Sequence, residues 1–247
     1  MIKFFYATGD SFVFGHELNE NGPEADDASL FEFTPHKRKH CYTGIMSDRL
    51  NVEEYQNTGC PGGSNERAYR VLISDISKKL KIYKPEEIFV NVSLTHVLRR
   101  EFCFGNNPFE YYIHMNAFEP NRDMNPNHHR LWEVLVKEFN HNYGHFTFDM
   151  MIVLGIQNFL RTNKIPYLLT SSMGVEHSMQ ESIIPNELLG QLVKHRYYVS
   201  PAFNIFAKEH NCKIGPMLHP LEEGHAVWAD HLLKYINENN LLDNSDL

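Results

Sequence analysis

Three observations predict an α/β protein, a three-layer α/β/α sandwich with a mostly parallel central sheet. Short apolar runs alternate along the chain with longer stretches of helical period, the pattern left by strands that run parallel through crossover helices. The run at residues 88–92, Ile-Phe-Val-Asn-Val, is apolar and β-branched, as suits a strand covered on both faces. No internal repeat or linker interrupts the 247 residues, so a single domain over 1–247 is expected.

The first strand occupies residues 2–7, and Gly9-Asp10-Ser11-Phe12 turns the chain at its end. A long surface loop is expected near 15–40, where the sequence is polar, acidic and without period. A short helix at 44–50 and a short strand at 54–57 follow. Ser64 is placed as an N-cap, with Arg67 where a full capping box would have Glu or Gln. The helix it opens carries Ala68, Val71, Leu72, Ile76 and Leu80 in one apolar stripe. Pro85 starts the next unit and leads into the 88–92 strand. A second long surface loop is expected near 103–127, rich in Asn, Pro and aromatic residues. Helical period returns over 128–140 and strongly over 146–163, where Met150, Val153, Ile156 and Leu160 align. Residues 166–170 read as a fourth strand, and short helices are expected near 186–195 and 202–209. The last helix, 222–237, turns Ala229, Leu232, Leu233 and Ile236 inward, and 239–247 read as a loose tail.

Apolar residues form 42% of the chain and charged residues 22%, an ordinary globular balance. The formal charge of -8, with Lys37-Arg38-Lys39 as the densest basic run, argues against a surface that tracks phosphates, so no nucleic-acid partner is expected. Cys41, Cys60, Cys103 and Cys212 form no C-x-x-C pair and read as free thiols of a reducing compartment. Lys3 and Asp10 interrupt the apolar start, and no stretch has the eighteen or so apolar residues of a membrane span. A cytoplasmic protein is expected, with release by cell lysis compatible. Oligomeric state is not legible.

Ser11 follows a strand, so it stands at the carboxyl edge of the sheet, where open α/β sheets bind their ligands. Its hydroxyl reads either as a nucleophile or as an ordinary turn residue. Gly59-Cys60-Pro61-Gly62-Gly63-Ser64 joins a strand to a helix and offers backbone N–H groups for an oxyanion, or a mere connection. His219, just before the last helix, can fold back over the sheet to take the serine proton, or cap the helix entrance.

In this order the three segments resemble the SGNH or GDSL hydrolase superfamily. Gly9-Asp10-Ser11-Phe12 is similar to its first block, Asn57 through Ser64 to its second, Ser93-Leu94-Thr95-His96 stands at its third, and His219 through His225 is similar to its fifth. The long loops and Arg99-Arg100-Glu101-Phe102 resemble SGNH-like proteins of tailed phages. The resemblance implies a flavodoxin-like SGNH hydrolase fold and a serine esterase or carbohydrate O-deacetylase with Ser11 as nucleophile and His219 as base. It also implies Gly62 as the oxyanion glycine, and Thr95 as a substitute for the family's oxyanion Asn. Asn65, His96 and the aromatic-rich loop 102–118 are taken as walls of the substrate site. No cofactor or metal is expected, and the partner is a small acyl ester or an acetylated carbohydrate.

Two departures bear on mechanism. The third block lacks its Asn, and a hydroxyl at Thr95 reaches less far than an amide. Pro216 holds the place of the acid that the family puts three residues before the His, and no carboxylate lies between Gly215 and Leu218. Either a backbone carbonyl orients the imidazole, or an Asp or Glu arrives from another loop. The alternative function is therefore a binding or structural protein on the same scaffold. A third reading is a zinc site from His128-His129, His141 and His145.

Overall fold

The computed structural model describes residues 1–23, 32–97, 99–103, 112–115, 129–130, 133–134, 142–173, 186–244 and 247. Its strands are β1 (Phe4–Thr8), β2 (Glu54–Asn57), β3 (Ile88–Leu94), β4 (Arg100–Cys103), β5 (Tyr112–Met115), β6 (Tyr167–Ser171) and β7 (Tyr197–Tyr198). Five of them form one sheet in the order β2-β1-β3-β6-β7, and every pairing in it is parallel. The parallel central sheet expected from the sequence is present. Phe4 stands opposite Glu54 on one side and Ile88 on the other. The chain therefore leaves β1 for its left neighbour and later returns to its right, which makes the carboxyl end of β1 a topological switch point where crevices form.

The helices are α1 (Ser11–Phe14), α2 (Pro35–His40), α3 (Tyr42–Arg49), α4 (Asn65–Lys79), α5 (Asn142–Thr162), α6 (Asn186–Leu189), α7 (Phe203–Glu209) and α8 (Glu222–Glu238). Alternate residues of a strand face opposite sides, and β1 divides accordingly. Phe4 and Tyr6 pack with Leu72 and Ile76 of α4 and Met150, Val153 and Ile156 of α5. Phe5 and Ala7 pack with Tyr42 and Met46 of α3, Phe203 and Phe206 of α7, and Trp228 and Leu232 of α8. These two cores are the inner faces of the three-layer sandwich. Ser64 caps α4 as expected, its hydroxyl accepting from the Arg67 N–H at 3.2 Å.

Three expectations are corrected. The region near 15–40 is not a plain surface loop: His16, Glu17, Leu18, Asn19 and Lys37 are buried, and α2 lies within it. Its polar composition hid this, because Glu17 and Lys37 find partners inside. Lys37, for example, donates to the Glu32 carbonyl and lies over the Phe14 ring. Near 103–127, β5 pairs antiparallel with β4, Arg100 opposite Met115; 104–111 and 116–127 lie outside the described residues. Residues 239–244, after α8, are docked rather than loose. Leu241 is fully buried, and the Arg196 guanidinium, itself buried, donates to the carbonyls of Leu241 and Asp243 and to that of Tyr167 in β6. Polar composition at a chain end predicts fraying only where no interior donor claims its carbonyls. Cys41 and Cys212 are free thiols. Among the described residues no helix is long and apolar enough to cross a membrane.

Candidate active site

At the end of β1 the chain turns sharply under constraints that only glycine meets at position 9. Gly9 has φ +153, and a Cβ there would lie 2.6 Å from the Ser93 carbonyl oxygen. Asp10 then caps α1, accepting from the Phe12 N–H at 3.0 Å. Its fully buried carboxylate gathers three further donors: Ser172 Oγ at 2.9 Å, Thr95 Oγ1 at 2.7 Å and Arg99 at 3.1 Å. Thr95, Arg99 and Ser172 follow the ends of β3 and β6, so one carboxylate ties three strand ends together and fixes where Ser11 stands. Asp10 is thus a buried structural acceptor of the turn.

Ser11 and His219, 208 residues apart, meet: Ser11 Oγ lies 2.8 Å from His219 Nε2. The other ring nitrogen, Nδ1, lies 2.9 Å from Glu17 Oε2. Glu17 is the acid that sequence reasoning left unidentified. It sits only six residues beyond Ser11, with φ +67, a left-handed backbone that aims its side chain back toward the serine's neighbourhood. The segment 214–220 is folded around its carboxylate. Ile214 bridges Pro220, the Gly215 N–H donates to the His219 carbonyl at 2.8 Å, and the Met217 and His219 N–H groups donate to Glu17 at 2.9 and 3.1 Å. A Cβ on Gly215 would lie 2.5 Å from Glu17 Oε1, so a glycine is what lets the carboxylate in. Exposure is 5% at Ser11, 3% at Glu17 and 8% at His219, and at this depth a carboxylate is tolerated because every side of it is hydrogen-bonded.

An ionised carboxylate only accepts. Nδ1 therefore carries the ring hydrogen, and Nε2 is free to accept from the serine hydroxyl. The ring is further held by Phe12 and His16, whose centroids lie 4.7 and 4.9 Å away. Burial and the His219 ring lower the affinity of His16 for a proton. His225 is also kept neutral: burial pushes it down to about 3, and its Nδ1 accepts from the Tyr42 N–H at 3.1 Å.

The remaining sequence expectations divide. The 59–64 segment does reach the nucleophile turn, since the Cys60 N–H donates to the Gly9 carbonyl at 3.1 Å, and Gly62 is exposed with φ +74. Thr95 does not offer its hydroxyl to an oxyanion. That hydrogen goes to Asp10, and the same oxygen accepts from Arg99 at 2.7 Å. Asn65 is likewise not a substrate wall. Its amide donates to Asp149 at 2.6 Å and to the Thr95 carbonyl at 3.3 Å, and its oxygen accepts from the Thr95 N–H. In both cases a buried polar side chain met an interior partner before it could face a ligand. His96 is half-buried after β3. Most of loop 102–118 lies outside the described residues, as do His128, His141 and the side chain of His145.

A family model described as a family of unknown function, DUF6071, matches residues 17–247. No curated protein matches the sequence. Among solved structures, the chain is similar to a carbohydrate esterase whose active site is described as displaying divergent catalytic and non-catalytic binding functions. The TM-score is 0.55 at 14% identity over 96% of this chain, which spans 65% of that protein. It is also similar to the psychrotrophic esterase EstA from Pseudoalteromonas sp., with TM-score 0.51 and 9% identity over 96% of this chain and 97% of that one. A third likeness is to LAE5, an alpha/beta hydrolase enzyme from the metagenome of Lake Arreo, Spain, with TM-score 0.51 and 11% identity over 98% and 96% of the two chains. At these identities the likeness shows the fold alone, a parallel five-stranded sheet between helices.

Proposed function

The chain belongs to DUF6071, a family of unknown function, and for this member we propose a serine ester hydrolase with Ser11 as nucleophile, His219 as base and Glu17 as the orienting acid. One observation carries the reading: the unbroken hydrogen-bond chain from Ser11 Oγ through His219 to Glu17, at 2.8 and 2.9 Å. A turn serine and a capping histidine have no need of a buried carboxylate on the far ring nitrogen.

In the proposed reaction Ser11 Oγ attacks the ester carbonyl carbon while His219 Nε2 takes the hydroxyl proton. Glu17 stabilises the imidazolium that forms and keeps the ring in the tautomer that accepts at Nε2. The tetrahedral oxyanion is received by the Ser11 and Gly62 backbone N–H groups. With Thr95 committed to Asp10, the side-chain donor of the family pattern has no replacement there, and losing one such donor slows typical enzymes about 100- to 1000-fold. His219 then protonates the leaving alcohol, and a water molecule repeats the sequence on the acyl-enzyme. Small acyl esters, acetyl groups on carbohydrate among them, are the substrate class; the likeness to a carbohydrate esterase supports this choice.

Covalent labelling by a fluorophosphonate probe tests the reading. Wild-type protein labels at Ser11, and Ser11→Ala and His219→Ala abolish both labelling and hydrolysis of p-nitrophenyl acetate. Folded wild-type protein that does neither is instead a binding protein on this scaffold.

A further inference from the structure

We propose that His36, His40 and Glu222 form a site for one divalent transition-metal ion of the zinc class, joining α2 to the first turn of α8. Thr34 caps α2, and Pro35 opens it, which sets His36 and His40 four residues apart on one helix face. Their ring centroids lie 4.3 Å apart. Glu222, the first residue of α8, reaches both: Oε1 is 2.9 Å from His36 Nε2, and Oε2 is 3.7 Å from His40 Nδ1. All three ligand atoms lie within 4.8 Å of one another.

Zinc bonds of roughly 2.0–2.2 Å in a tetrahedron put neighbouring ligand atoms about 3.3 Å apart. The two separations to Glu222 bracket that value, and the side chains are partly exposed, so small rotations close the geometry. Two imidazoles and one carboxylate select zinc, cobalt, nickel or copper over magnesium and calcium, which prefer oxygen throughout. Three protein ligands leave a fourth position for water. A surface hydrogen bond between His36 and Glu222 would account for one imidazole; it gives no reason for a second ring turned to the other carboxylate oxygen. Glu222 is three residues after His219, so an ion here fastens the segment bearing that histidine to α2. The proposal stands independently of the ester hydrolase reading.

Tag-free, chelator-treated full-length protein is titrated with Zn²⁺ against a chromophoric chelator, and separately with Co²⁺ in the visible range. One Zn²⁺ per chain, a raised melting temperature and a tetrahedral Co²⁺ spectrum are expected, with no effect of Mg²⁺. His36→Gln, His40→Gln and Glu222→Gln each weaken uptake by about tenfold or more, while His219→Ala leaves it unchanged. Should one variant fail to fold, the other two still locate the ion. The proposal is overturned if wild type takes up no zinc, if Co²⁺ binds octahedrally, if both histidine variants bind as wild type, or if His219→Ala abolishes uptake and so places the ion beside Ser11.

Discussion

Glu17→Gln keeps the volume of the side chain and removes its charge, and the structure allows its consequence to be worked out. Oε2 accepts from the His219 ring and backbone, and Oε1 from the Met217 N–H. A glutamine can accept at only one end. With its oxygen toward His219, its NH₂ meets the Met217 N–H donor to donor, at a cost of about 1–3 kcal/mol in stability. With its oxygen toward Met217, the NH₂ points at Nδ1 and drives the ring hydrogen to Nε2, where it blocks proton transfer from Ser11. Either way the imidazolium loses a negative charge about 4 Å from its own, worth about 4 kcal/mol at an effective dielectric of 20. That is about a thousandfold in rate, and the wrong tautomer extends it toward about ten-thousandfold. The assay is kcat/KM on p-nitrophenyl acetate together with the rate of fluorophosphonate labelling, with melting temperature as control. Glu17→Gln within tenfold of wild type, in a preparation where Ser11→Ala is inactive, refutes the orienting role.

Two further outcomes follow from the residues around the triad. Because the Thr95 hydroxyl serves Asp10, Thr95→Ser should keep its activity, whereas Thr95→Val should lose about 1–3 kcal/mol in urea denaturation more than it loses in kcat. A large kcat loss at unchanged stability would return Thr95 to the oxyanion. Burial pushes the Asp149 carboxyl from 3.8 up to about 7, so its contribution to stability is full below pH 3.8 and is lost as pH rises toward 7. His225, pushed from 6.5 down to about 3, contributes above pH 6.5 and loses this as pH falls toward 3. The slopes oppose each other. Asp149→Asn should therefore unmask a stability that climbs with pH between about 4 and 6.5, by on the order of a few kcal/mol; a flat profile in that variant counts against the His225 assignment, and a wild type that climbs as steeply as the variant counts against that of Asp149.

The central strand at 88–92 was legible because burial on both faces writes itself into composition; the half-buried edge strand at 54–57 was placed to the residue as well, and the Ser64 cap was read from one side chain. Two-residue β7 was not, since Tyr197 and Tyr198 carry no period of their own. At the site, Ser11 and His219 were found through the segments that hold them. Glu17 was not, because its selection depends on a left-handed backbone and on N–H groups 200 residues away, neither of which has a sequence period. The one available clue was the absence of a carboxylate between Gly215 and Leu218, which required an acid from elsewhere. Thr95 and Asn65 were misassigned for the converse reason. Residue type announces hydrogen-bonding capacity, and only the folded chain shows who claims it first.

Residues 11–17 hold two of the three side chains in the proposed proton relay, while the segment 214–220 lends a single ring and two backbone N–H groups. The division of labour is uneven, and it makes the later segment interchangeable in principle. Any hairpin that returns an imidazole to the same spot, with a glycine to admit the carboxylate, could replace it without rebuilding the relay. Loss of Gly15, whose φ of +76 ends α1 and launches the chain toward Glu17, would strand acid and nucleophile together.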